Sequence, residues 1–529
     1  MASEDSDGRM LHATRSVSLL TLLSRVLGLA RDSTTAWLLG SSWVNDALTY
    51  AWTLPNTFRR LFGEGALSSA FVPVFARVVE QEGRERARRV ANVVITTTGL
   101  FLLALALLLV LLAGALPLAT VARWTGQPDP ARAAVLVGYV QIVLPYLAGV
   151  CVVAQMMAML NVLGEFTVPA LAGVIVNVVW IAGVAVAWLV APGDAVAQGG
   201  IIAWSVLVSA ALQLLWQLPR LAALGVGLRL ARPALTPEFR AVLANMGPMV
   251  VGMGAGQIAV LADSQVALMV LEEGGRSHVY YAMRLVQFPM GLVAVALGTV
   301  AYPMLARLVA RGDRAQAAAA AGLALRIDLL LTLPAAVGLG VLARPIVGLL
   351  FEHGAFTAPA ADLTAQALVG YTLGIPAAGA VLLLTRASYA LGNMQLPVRV
   401  GLTMLGVQIA LDIALARWLG EFGLGLASSL CSVLSAAALA WGVRRLLGEG
   451  ATGLSGRLLP LLGVCAAMGV LVFGVDAWLA ARAGPAGGGY ALRVVSGTAL
   501  GLLSFALLAS RLCRQEWQEL AGLWRGRAG

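Results

Sequence analysis

Seven charged side chains stand inside the first two strongly apolar stretches of this chain: Arg25, Arg31, Asp32, Asp46, Arg59, Arg60 and Glu64. Arg284 stands in a later one. Arg60 and Glu64 are spaced i, i+4 and can pair on one helix face, while Asp32 can hold Arg31 or reach another helix. Arg25, Arg59 and Arg284 have no acidic residue three or four positions away; their neighbours at those spacings are residues such as Leu22, Leu29, Pro55, Asn56, Tyr280 and Gln287. A charge at the centre of a bilayer costs about 2.5–3.5 kcal/mol on insertion scales. Arginines kept at that cost without local counterions suit an anion supplied from outside, and guanidinium forks match phosphate oxygens two at a time. The residues thus predict a cavity for a phosphate-bearing ligand. Gly28 lies between Arg25 and Arg31, which six helical residues place about 240° apart; a helix break at Gly28 would turn both to one cavity. Pro55 removes a backbone donor one turn before Arg59 and predicts a kink, which membrane helices tolerate where they line a cavity.

A second polar group is smaller. Asp263 stands in one apolar run, Gln408 and Asp412 share a face at i, i+4 in another, and Ser428 follows in the next. Two carboxylates with neutral oxygens form either a site for a hard cation or a hydrogen-bonded contact between helices, and the residues leave both open. Other charges, Arg326 with Asp328, Arg344 and Arg386, read as interface pairs or side chains that snorkel.

The elements that must carry these residues are membrane spans. Of 529 residues, 60% are hydrophobic and 12% charged, about half the charged share of a soluble chain. The formal net charge is +10, and all 36 basic residues are arginine. They alternate with apolar runs, which points to a membrane surface and away from nucleic acid. Cys151, Cys431, Cys465 and Cys513 have no metal-like or disulfide-like spacing, and His12, His278 and His353 are far apart. No zinc-protease, phosphate-loop or serine-elbow motif is present. The sequence therefore predicts no catalytic residue and an all-α polytopic membrane protein.

About fourteen runs are long enough to cross, from residue 16 to residue 512. They divide into a first lobe over 16–222 (spans 1–6), a second over 238–446 (spans 7–12) and two further spans over 456–512. Residues 1–15 read as a disordered leader and 513–529 as a tail. Arginines crowd alternate loops, among them Arg84, Arg86, Arg88, Arg89, Arg229, Arg232, Arg311, Arg314, Arg444 and Arg445, while the opposite loops hold only a few, such as Arg123, Arg132, Arg276 and Arg482; by the positive-inside rule this places both termini in the cytoplasm. The lobes look like repeats. Tyr50-Ala51 and Leu54 match Tyr281-Ala282 and Leu285, and Pro73, Ala76-Arg77 and Val79 match Pro303, Ala306-Arg307 and Val309. An even number of spans between the copies makes the repeat parallel, a transporter architecture with its site where the halves meet.

Three segments resemble the MurJ (MviN) lipid II flippases: Ser24-Arg25-Val26-Leu27-Gly28-Leu29-Ala30-Arg31-Asp32; Leu54-Pro55-Asn56-Thr57-Phe58-Arg59-Arg60-Leu61-Phe62-Gly63-Glu64-Gly65-Ala66; and Tyr280-Tyr281-Ala282-Met283-Arg284-Leu285. The resemblance implies fourteen spans, two six-helix lobes and membership of the multidrug/oligosaccharidyl-lipid/polysaccharide exporter superfamily. It implies that Arg25, Arg31, Arg59 and Arg284 hold the diphosphate of lipid II, that Ser24, Asp46 and Ser277 line the cavity, and that the last two spans form a groove for the polyprenyl tail. It also implies an inner-membrane protein of peptidoglycan and cell-wall synthesis, working by alternating access, with lipid II and membrane lipids as its partners. Some members are similar in carrying a sodium site on the helices of Asp263, Gln408, Asp412 and Ser428. Met283 departs from the family, which often has Asp there. Two competing readings are an exporter of another lipid-linked oligosaccharide and a polytopic enzyme acting on polyprenyl diphosphates; the enzyme needs a base or nucleophile outside the membrane, for which Glu272, Glu273 and His353 are the candidates.

Overall fold

A computed structural model describes residues 2–61, 67–448, 458–483, 487–514 and 516–518, with the side chains of 2–16, 69, 248–249, 251–253, 292–303, 483 and 487 left aside. All regular structure among these residues is helical, in seventeen helices. The first of two compact units, Met1–Met269, holds α1 (Ala2–Leu39), α2 (Trp43–Phe58), α3 (Ser68–Ala115), α4 (Leu118–Trp124), α5 (Pro130–Val143), α6 (Tyr146–Val162), α7 (Thr167–Val190), α8 (Ala195–Ala223) and nearly all of α9 (Pro237–Val270). The second, Val270–Gly529, holds α10 (Gly275–Ala310), α11 (Arg314–Val341), α12 (Ala343–Phe351), α13 (Ala358–Thr372), α14 (Ile375–Ala390), α15 (Gln395–Leu447), α16 (Leu458–Ala483) and α17 (Gly487–Leu512).

Among the described residues, eight helical segments, counting α5 with α6 as one, are long and apolar enough to cross a membrane, or nine if α13 and α14 form one span bent by 44°. Helices α1, α2 and α10, which carry Arg25, Arg31, Asp46 and Arg284, are not among them. The long helices α3 and α15 each contain one non-helical glycine, Gly83 and Gly420; Gly420 divides α15 into two spans, whereas the segment of α3 ahead of Gly83 is too short to cross alone and follows α2 in the same span, which is consistent with fourteen. Large apolar side chains such as Leu111, Leu189, Val470 and Leu503 face outward, as they must against lipid.

Turn glycines make the repeat visible. Every positive-φ residue among the described ones is glycine, and they form two sets of six: Gly40, Gly83, Gly126, Gly164, Gly193 and Gly225, then Gly274, Gly312, Gly354, Gly392, Gly420 and Gly448. In order, the offsets fall from 274 − 40 = 234 to 448 − 225 = 223. A left-handed backbone is costly for a residue with a Cβ, so each pair marks the same turn in both copies. The broken spans correspond too: α5 gives way to α6 at Leu144-Pro145, and α13 to α14 ahead of Pro376, an offset of 376 − 145 = 231.

Three features differ from the sequence reading. The backbone of residues 2–15 continues α1 as helix instead of forming a disordered leader; Ala2, Glu4, Arg9, Met10, Leu11 and Ala13 favour helix. Helix α1 also runs unbroken through Gly28. Finally, the units divide at Met269/Val270 and not between 222 and 238. By the repeat α9 corresponds to α1, yet it packs with the first unit: Phe239 and Val242 join the core around Phe71, Phe75 and Met159, Glu238 pairs with Arg86 at 2.8 Å, and Gln265 accepts from Tyr50 Oη at 2.7 Å and donates to the Trp124 carbonyl.

In the second unit, His278 near the start of α10 meets Glu421, beside the Gly420 break, at 3.0 Å. An ionised carboxylate only accepts, so the bond places hydrogen on Nδ1. Phe356, Tyr281 and Phe351 pack around the pair. Burial pushes the Glu421 carboxyl up, but the bond from His278, its own backbone amide and the His278 charge outweigh that, leaving it below the ordinary glutamate range. A carboxyl depressed on folding stabilises the fold above its unfolded value of about 4.3, and that contribution disappears as pH falls through the lower folded value. Glu421→Gln should therefore cost about 1.5–3 kcal/mol near neutral pH, read as a lower unfolding temperature of the purified protein. The gap between parent and variant should close under acid.

Candidate functional site

Helix α1 presents Arg25 on an exposed face beside Leu22 and Val26, which are 58% and 54% exposed. Among the described residues the Arg25 guanidinium makes no hydrogen bond or ion pair. A cation flanked by outward apolar side chains matches an amphiphile with an anionic head.

Arg31 stands in a different setting. It is 3% exposed, and its Nε and Nη2 both donate to Asp32 Oδ1, at 2.9 and 2.6 Å. The guanidinium packs against the Trp180 ring of α7 at 4.8 Å and the Trp52 ring of α2 at 5.6 Å. The two indoles meet edge to face at 5.1 Å, and Trp180 Nε1 donates to Thr35 Oγ1 at 3.0 Å. This is a closed cage. Its charge is balanced by Asp32, and losing one partner of a buried pair costs about 3–5 kcal/mol. With α1 unbroken at Gly28, Arg25 and Arg31 point in different directions, one outward and one into the bundle, so they do not share a cavity here.

Ser24 lies at the seam of α1 and α7. Asn177 Nδ2 donates to its carbonyl at 2.9 Å, and Gly173 leaves room for its hydroxyl. Asp46 is buried in the first turn of α2, which Ser42 caps by accepting from the Asn45 amide. Pro55 lies within α2 without ending it, and the chain passes into a wider π turn at 59–61. There Arg59 donates through Nε and Nη2 to Asn56 Oδ1, at 3.2 and 3.0 Å. Arg60 is half-buried; Glu64, its expected partner, lies outside the described residues.

The second unit carries Arg284 on α10. Its Nη1 approaches Gln287 Oε1 at 3.4 Å, and its guanidinium stands 6.0 Å from the Tyr280 ring centre. Arg276, 4% exposed, approaches the same ring at 5.6 Å. Arg276, Tyr280 and Arg284 thus form a ladder with one ring between two cations. Sequence reading assigned Arg276 to a loop; the i, i+4, i+8 spacing was the signal that joins it to Arg284. Ser277 is fully buried, and Met283 is half-buried.

Within the polar group expected as a cation site, Gln408 Nε2 donates to Asp412 Oδ1 and to Ser428 Oγ, each at 2.9 Å; Asp263 is carried by α9. No cluster of three or more His, Cys, Asp or Glu suited to a metal occurs among the described residues. The four cysteines are buried, and Cys431 Sγ donates to the Met404 carbonyl at 3.4 Å. The Arg326–Asp328 pair does not form: Arg326 lines a pocket with Leu461, Cys513 and Glu516, and neither Asp328 oxygen has a partner. Arg344 is paired, with Glu352 at 2.7 Å and with Asp362. Tyr490 of α17 also donates to Glu352 at 3.0 Å, and Arg493 clasps Asp476 at 2.8 and 2.9 Å. These contacts fasten α17 to α12 and to α16.

Residues 35–483 match the family model for the lipid II flippase MurJ. The chain is 37% identical over 402 residues to a probable lipid II flippase MurJ of Rhizobium meliloti, covering 75% of this chain and 72% of that one. It is 32% identical over 445 residues to the lipid II flippase MurJ of Burkholderia cenocepacia, covering 82% and 84%. Among solved structures, it resembles a lipid II flippase MurJ in an inward closed conformation, with a TM-score of 0.73 and 25% identity over 94% of this chain and 99% of that one. A multidrug MATE transporter of the MOP superfamily in an inward-facing conformation shares the fold at a TM-score of 0.64 and 15% identity, over 81% of this chain and 98% of that one.

In the ladder both guanidinium groups meet the tyrosine ring. Tyr280→Phe should keep these two contacts, and Tyr280→Ala should be less stable than Tyr280→Phe by about 0.5–2 kcal/mol for each cation released. Melting curves of the two purified variants check this.

Proposed function

The chain belongs to the MurJ lipid II flippase family, and from that premise we propose which of its residues take hold of the substrate. The protein is a transporter, not an enzyme: a multi-pass inner-membrane protein that moves lipid II, the lipid-linked peptidoglycan precursor, across the bilayer by alternating access for cell-wall synthesis. Both termini lie in the cytoplasm under this proposal, a placement supported by the arginine-rich alternate loops.

Arg25, Arg59 and Arg284 hold the diphosphate, and Arg31 supports them from its cage. The observation that carries this assignment is Arg25, an intramembrane guanidinium that is exposed and makes no hydrogen bond or ion pair among the described residues. A diphosphate offers it the anionic oxygens that a bidentate fork fits, and the exposed Leu22 and Val26 suit the lipid to which the diphosphate is attached. Arg31 contributes differently. Its cation is balanced by Asp32 and held between two indoles, so its role is to fix α1 against α2 and α7. Ser24 and Ser277 act through helix seams in the same manner. The last two spans, fastened through Tyr490, provide a surface for the polyprenyl tail.

A sodium ion at Asp412, Gln408 and Ser428 is a further proposal. One carboxylate with two neutral oxygens suits a monovalent hard cation. The Gln408 amide nitrogen now stands between the two oxygens where such an ion would stand, and rotating the amide would offer its oxygen instead. Sodium should raise the melting temperature of the purified parent, and Asp412→Asn should abolish that increase; a parent that melts identically with and without sodium removes the ion from the account.

Arg25→Ala, Arg59→Ala and Arg284→Ala should each fail to support growth when they are the cell's sole copy, at normal membrane levels. Lys at these positions should restore growth only in part, because it keeps the charge and loses the fork. Growth of all three Ala variants at ordinary expression would refute the diphosphate assignment.

A further inference from the structure

Asp328 lies near the middle of α11, and it is 0% exposed. Neither carboxyl oxygen has a hydrogen-bond partner. One turn away on either side stand Ala324 and Thr332, and the Thr332 hydroxyl is committed to the Asp328 backbone carbonyl at 2.7 Å. Across the seam, α14 offers Gly379, where a Cβ would collide with Oδ1; Ala324, Ile327 and Leu383 pack nearby. The glycine opens the space that the carboxyl fills, but brings no donor to it.

The helices packed against α11 are α10 and α12 to α17. Their ionisable side chains include Arg284 (α10), Tyr371 (α13), Arg386 (α14), Asp412 (α15), Asp476 (α16) and Arg493 (α17). None of them gives the Asp328 carboxyl a hydrogen bond or an ion pair. Arg344 of α12 is committed to Glu352 and Asp362, and Arg326, on α11 itself, faces the pocket shared with α16. An isolated ionised carboxylate in such surroundings is so costly that the group takes up a proton instead.

We propose that Asp328 is a proton-binding site inside the second unit: it holds a proton in the conformation seen here and releases it in a conformation that lets water reach the α11–α14 seam at Gly379. One proton is bound or released and no other bond changes. Proton binding at this residue thereby biases which conformation the unit adopts, and raising the pH disfavours the one seen here. The inference builds on the transporter reading, but its first readout does not involve lipid II, so the two can fail separately.

Infrared spectroscopy of the purified full chain, with and without isotope-labelled aspartate, reads the proton directly. Near neutral pH the parent should show a deuterium-sensitive carbonyl band of a protonated carboxylic acid. The aspartate label should move it, and Asp328→Asn should remove it. Absence of the band from the parent, or its persistence unchanged in Asp328→Asn, overturns the proposal. If Asp328→Asn does not fold, Asp328→Glu replaces it: the band should then lose its response to labelled aspartate, and a retained response overturns the proposal. Spin labels on α11 and α14 supply the conformational readout. The ratio of seam-open to seam-closed protein should rise with pH by up to about tenfold per unit in the parent and stay flat in the Asp328 variant. Equal slopes in both would refute the coupling.

Discussion

An ionised side chain inside a bilayer must be neutralised, hydrated or bound to something of opposite charge, because the hydrocarbon offers it nothing. The chain meets this constraint in two ways. Arg31 is neutralised on the spot by Asp32 and wrapped by Trp52 and Trp180. The Arg493–Asp476 and Arg344–Glu352 pairs use the same solution to hold the last helix. Arg25 has no such arrangement and points outward among apolar side chains. Under the assignment proposed above its partner is the diphosphate of the cargo, which makes the insertion cost part of substrate recognition.

The scaffold around these charges is a duplicated one. Two sets of six turn glycines recur at nearly constant offset, and each copy contains one broken span before a proline-bearing segment. Duplication supplies two similar helical units, yet the copies have diverged where chemistry differs. The copy of α1, helix α9, has no arginine within its apolar portion, and its contacts with Tyr50, Arg86 and the Phe71–Phe75 core tie it to the first unit. The arginines proposed to bind the substrate accordingly stand on α1, α2 and α10.

The helical class, the spans and the conspicuous arginines were legible in the sequence because apolar run length and charge placement are local properties. Long-range packing was not. Nothing near Arg31 in the chain announces Trp180, which lies 149 positions away, so the cage could not be read from spacing. A break at Gly28 followed from asking Arg25 and Arg31, about 240° apart on a helix, to face one cavity, but a helical glycine costs only about 1 kcal/mol and α1 runs unbroken through it. Arg326 and Asp328 were paired by proximity in sequence, although i, i+2 neighbours on a helix do not face each other; that error could have been avoided. Arg276 was missed for the opposite reason, since its i, i+4, i+8 relation to Tyr280 and Arg284 was available and only its apparent loop position concealed it.

The central claim is that this protein carries lipid II from the inner to the outer leaflet. Depleting it in cells while measuring how much lipid II an impermeant probe can reach from outside tests that most directly. The account predicts that the accessible fraction falls as the protein disappears, that total lipid II accumulates, and that the parent chain restores both. An accessible fraction that stays unchanged in fully depleted cells would contradict it.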